Sequence, residues 1–77
     1  MATRYRVRVR GTLTEQMAET FGDLSVLRET NGIGPITILE GPFRDQAALM
    51  GLLNALYSWR YLLLAVHCLE DGERASP

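Results

Sequence analysis

Lysine is absent from this 77-residue chain, cysteine, histidine and tryptophan occur once each, and no apolar run is longer than the six residues Tyr61 to Val66. Each shortage excludes something. A lone Cys68 leaves no internal disulfide, and with His67 as the only imidazole there is no His/Cys cluster to hold a metal. Six apolar residues fall far short of the roughly 20 that a membrane-crossing helix needs. Met1 leads directly into alternating arginines without an apolar h-region, so no signal peptide and a cytoplasmic location are expected. The basic residues, eight in number and all arginine, sit in a chain of net charge −1. That bias is expected to reflect GC-rich bacterial coding first and function only second.

What is present is ordinary globular material: 47% hydrophobic and 22% charged residues, enough to fold and too apolar for a disordered chain. The length is below the usual size of about 100 to 200 residues per domain, so one domain is expected, over residues 4–69. A flexible acidic tail is expected over 70–77. Domains this small are marginally stable, and with disulfide and metal excluded, oligomerisation is the remaining staple.

Arg4 to Arg10 alternates strictly, Tyr5, Val7 and Val9 on one side and four arginines on the other, the period of a half-buried strand. Thr12 and Glu15 have capping-box spacing, and Leu13, Met17 and Phe21 repeat on one stripe, predicting a helix from Leu13 to Phe21 that stops at Gly22. Ser25 to Thr30 and Ile33 to Leu39 are strand-like runs joined by Asn31-Gly32, the preferred pair for a type I′ turn. Gly41-Pro42 is expected to end the second run. Leu49, Leu52, Leu53 and Leu56 then predict a helix from Arg44 to Ser58, in which Gly51 suggests close approach of a neighbour. Leu62 to Leu69 reads as a strand apolar on both faces. The order strand, helix, strand, strand, helix, strand predicts an α+β, ferredoxin-like βαββαβ sandwich: a four-stranded antiparallel sheet with two helices on one face and the other face open.

The segment Asp45-Gln46-Ala47-Ala48-Leu49-Met50-Gly51-Leu52-Leu53, leading into Leu63-Leu64-Ala65-Val66, resembles small bacterial proteins of actinobacterial type. These are ferredoxin-like proteins with a DQAALxGLL helix followed by a leucine-rich strand. The likeness covers residues 4 to 69, is one of packing, and implies a fold without implying an activity. The chain departs from that pattern after the helix. Arg60 and Leu62 stand where the pattern has Gly and then Pro, so a positive-φ cap at Arg60 would be strained.

If Tyr5, Val7 and Val9 face the helices, then Arg4, Arg6, Arg8 and Arg10 share the open face, and His67 joins them from the neighbouring strand. Guanidinium groups present paired donors to carboxylate or phosphate, so these five are the candidate ligand-binding residues for a small anionic ligand. The plainer reading is a solvated face screened by salt and neutralised by Glu70, Asp71 and Glu73. Nucleic acid is disfavoured, because single-strand readers of this topology stack bases on aromatics where this strand carries arginine. Leu39, Leu63, Ala65 and Leu69 are expected to put apolar surface on the same face, a candidate homodimer interface. Catalysis is disfavoured too: His67 and Cys68 point to opposite faces of a strand, and Gly32-x-Gly34 precedes a strand and is no phosphate loop. The expectation is a non-catalytic homodimeric binding or accessory module, without cofactor or metal, using the open face for a partner protein or small anionic ligand. The alternative is a small cofactor-free enzyme of the dimeric α+β barrel kind, a monooxygenase or cyclase centred on His67.

Overall fold

A computed structural model of the chain describes residues 3–69. The tail at 70–77 lies outside the described residues. The elements are β1 (Thr3–Arg10), α1 (Glu15–Glu19), β2 (Ser25–Asn31), β3 (Gly34–Phe43), α2 (Gln46–Ser58) and β4 (Leu62–Cys68). The strands form one antiparallel sheet in the order β2-β3-β1-β4, an α+β arrangement compatible with a ferredoxin-like fold.

The alternation of β1 has the predicted result: Val7 and Val9 are fully buried against Leu13, Ala18, Leu39, Phe43, Leu49, Leu52 and Leu56. Strand and both helices thus share one core, on the face opposite the arginines. Burying a Leu or Val side chain stabilises by roughly 1.5–3 kcal/mol, so this cluster holds the sheet and helices together. α2 opens on Asp45, whose Oδ1 accepts from Ala48 N at 2.8 Å, and its leucine stripe faces the sheet.

α1 is shorter than its apolar stripe predicts. Its cap is Thr14, not Thr12, with Thr14 Oγ1 accepting from Met17 N at 3.2 Å. Leu13 cannot join the helix because its N–H donates to Thr37 Oγ1 at 3.1 Å and its carbonyl accepts from Arg28 at 2.9 Å. Thr37, buried among apolar neighbours, donates its own hydroxyl in a hydrogen bond to the Gly11 carbonyl at 2.7 Å. The loop between β1 and α1 is therefore held by the sheet.

The hairpin also differs from expectation. Asn31 pairs with Gly34, leaving Gly32 and Ile33 in the loop, and the positive φ falls on Gly34 at 110°, so Asn31-Gly32 is not a type I′ pair. Asn31 Oδ1 instead accepts from Ile33 N at 2.9 Å, an Asx turn. Nor does Gly41-Pro42 end β3. Pro42 lies beyond the last β2 partner, Ser25 opposite Glu40, and Arg4, its partner on β1, turns its carbonyl to Leu69 N on the other side. The missing proline N–H is thus not needed by the ladder. Gly41 is required for a different reason: a Cβ there would stand 2.8 Å from the Asp23 carbonyl oxygen.

Two expected packing roles are overturned. Gly51 has nothing within 4 Å of a built Cβ and is exposed, so no described neighbour approaches it closely. Leu39 is fully buried, paired with Val7 on the core side, and is no part of the open face.

At the end of α2 Arg60 takes the positive-φ cap although a non-glycine residue is strained there. Its φ is 68°, with Arg60 N donating to Tyr57 O at 3.0 Å and Tyr61 N to Leu56 O at 2.9 Å, the two bonds of a Schellman cap. Tyr61 then folds over Gly11, its hydroxyl donating to Thr12 O at 2.9 Å, while Trp59 meets Phe21 edge-on at 6.1 Å.

Candidate functional site

Strand register builds the open face row by row. Arg6 lies between Glu40 and His67, Arg8 between Ile38 and Ala65, and Arg10 between Ile36 and Leu62, while Arg4 lies opposite Pro42. The four arginines and His67 therefore share one surface, as their alternation implies. Cys68 lies opposite Tyr5 on the helix side, so His67 and Cys68 point apart.

The register of β4 is interrupted. Between Arg8 and Val9 of β1 the partner changes from Ala65 to Leu63, leaving Leu64 as an extra residue, a β-bulge. The phase of the strand changes there. Ala65 remains on the open face beside Arg8, and Leu69 hydrogen-bonds through its N–H to Arg4 O at 2.7 Å. Leu63, expected on the open face, is opposite Val9 on the helix side, and Leu62 takes its place beside Arg10. Both stay wet because β4 is an edge strand: Leu62 is 55% and Leu63 43% exposed.

Carboxylates within the sheet supply counter-charge. Arg6 Nε donates to Glu40 Oε2 at 2.8 Å, Arg4 stands 3.9 Å from the other Glu40 oxygen, and Arg8 reaches Glu29 at 3.4 Å. The sequence pointed to Glu70, Asp71 and Glu73 for this role, and those lie outside the described residues. Surface pairs of this kind contribute only about 0.2–1 kcal/mol each, so they orient the side chains more than they stabilise the fold. Among the described residues, four arginines against two glutamates leave a surplus of two positive charges on the face. Arg10 makes no ion pair among the described residues.

Ile36 and Ile38 are buried although they belong to this face, where Ile36 is the ladder partner of Arg10 and Ile38 that of Arg8. The surface is thus a basic ridge on an apolar bed. At the Arg10 end it adjoins a concavity of about 420 Å³ lined by Tyr57, Ser58, Arg60, Tyr61 and Leu62, the last being Arg10's ladder partner. A second guanidinium, two phenols and a hydroxyl at that end suit an anion with a flat apolar body. The backbone reversal at Arg60, which no local sequence pattern marks, brings these side chains around one space.

Among the described residues no three His, Cys, Asp or Glu side chains gather as a metal site, and no helix is long and apolar enough to cross a membrane. No curated protein and no solved structure matches the chain. A family model described as a domain of unknown function (DUF8691) matches residues 4–67, from the first arginine of the row to the histidine beside it, and the chain belongs to that family.

Proposed function

We propose that this domain is a cytoplasmic, non-catalytic homodimeric binding module of ferredoxin-like topology that holds a small anionic ligand at the arginine-bearing sheet face. The observation that carries the proposal is the Arg10 end of that face. Arg10 has no carboxylate partner among the described residues, and its neighbour Leu62 opens into the concavity that also contains Arg60. A ligand there would exchange water for charge-assisted hydrogen bonds to guanidinium while laying its apolar part against Leu62 and the tyrosine rings.

Titration calorimetry with benzoate and inorganic phosphate as probes tests this. Benzoate is expected to bind more tightly than phosphate, and Arg10→Gln to weaken it by about tenfold or more, the loss of one hydrogen bond to a charged group. Equal, weak binding of both anions, unaffected by Arg10→Gln, would remove the proposal. The enzyme reading rests on His67 standing opposite Arg6 on the same face. Turnover abolished by His67→Ala in a folded protein would favour it instead.

A further inference from the structure

The two edges of the sheet are built differently. β2 is exposed along nearly its whole length and carries Arg28 and Glu29, whereas β4 from Leu62 to Cys68 has no Asp, Glu, Lys, Arg, Pro or Gly. Edge strands are ordinarily protected from pairing by just these residues. β4 has only the bulge at Leu64, which leaves a regular stretch from Ala65 onward.

That stretch also has its backbone groups in position to pair. Leu69 N–H donates inward to Arg4 O, and antiparallel alternation then turns His67 and Ala65 toward β1 and Cys68 and Val66 away from it. The N–H and C=O of Val66 and Cys68 thus face outward, and the Val66 side chain is 37% exposed.

From this we infer that β4 is the seam of the homodimer, pairing antiparallel with β4 of a second copy about a two-fold axis at Val66 and joining two sheets into one of eight strands. The inference rests on the homodimer reading above and specifies its geometry. A two-fold at Val66 sets Val66 against Val66, Leu64 against Cys68 and Ala65 against His67, so no like charges meet. The same operation on β2, centred on Arg28 or Glu29, opposes Arg to Arg or Glu to Glu. Some β2 registers, such as one centred on Leu27, avoid this. β4, however, carries no Asp, Glu, Lys or Arg and meets like charges in none, so its uncharged edge favours β4 over β2 and a second copy over a charged peptide. Edge pairing also leaves the arginine face uncovered, so dimer and ligand do not compete.

Light scattering on the full chain over a wide concentration range is expected to give twice the 8.6 kDa chain mass. Val66→Lys should reduce it to one chain while the circular dichroism spectrum is kept, and Leu27→Lys on β2 should leave the dimer intact. Val66→Cys in a Cys68→Ser background should become covalently linked across the axis in an oxidised glutathione buffer, a readout that holds even where the lysine variant is poorly folded. A wild type that is monomeric throughout, a dimer that survives Val66→Lys, or a dimer broken by Leu27→Lys alone would overturn the seam. Benzoate titration of the same variants separates the two proposals: a monomer that still binds refutes the seam alone, and a β4 dimer that binds nothing refutes the ligand reading alone.

Discussion

Replacing Gly51 with alanine should stabilise this domain, although the change adds an atom to a helix that packs on the core. Gly51 is in the interior of α2, seven residues before its end at Ser58, and its φ is not in the left-handed region. A built Cβ meets nothing within 4 Å, so the methyl group adds no overlap. What changes is the chain entropy lost on folding, which for Gly exceeds that of Ala by about 1 kcal/mol in a helix interior. For a domain of this size about 1 kcal/mol corresponds to a rise in Tm of roughly 4–8 °C. Thermal unfolding of both proteins, followed by far-UV circular dichroism at one fixed concentration, measures it; the fixed concentration removes any contribution from association. An unchanged or lowered Tm would refute the reasoning. It would mean that something packs on the Gly51 side of α2 in solution.

The opposite exchange is expected to help at the other end of the same helix. Arg60→Gly relieves a left-handed residue that costs roughly 1–2 kcal/mol, partly offset by glycine's greater freedom in the unfolded chain, so a gain of up to about 1 kcal/mol should appear in urea denaturation. Gly41→Ala should cost about 1–3 kcal/mol in the same assay, because the added methyl group meets the Asp23 carbonyl oxygen at 2.8 Å and Leu24 Cα at 3.3 Å, backbone atoms that cannot turn aside. Thr37→Val keeps the shape of the side chain but strips the Leu13 N–H and the Gly11 carbonyl of their partner, and should lower stability by about 1–3 kcal/mol, with hydrogen exchange accelerated at Leu13.

Much of this architecture can be read in the chain wherever one face is polar and the other apolar. β1 declares its two faces because arginine and valine alternate, and α2 declares its core side by its leucine stripe. The pattern is silent where both faces are buried or both apolar. Ile36-Thr37-Ile38-Leu39 lies in a strand with neighbours on either side, and nothing in those four residues says that Leu39 rather than Ile38 faces the helices; the register with Val7 decides it. Thr37 took Leu13 out of α1 from 24 residues away, beyond any local signal. At the candidate site the arginines and His67 were legible. The concavity was not, since it depends on Arg60 reversing the backbone and bringing Tyr57, Tyr61 and Leu62 around one space.

The extra residue in β4 acts on this surface as a reading frame acts on a message. Counted from Cys68 backward, Leu62 would lie on the helix side and Leu63 on the arginine side; the insertion at Leu64 exchanges them. Paired without the bulge, the same residues would set Leu64 opposite Val9 and Leu63 opposite Arg10, with composition and hydropathy unchanged. Whether this strand pairs with or without its bulge therefore decides what the basic ridge has beside it, even where every arginine is kept.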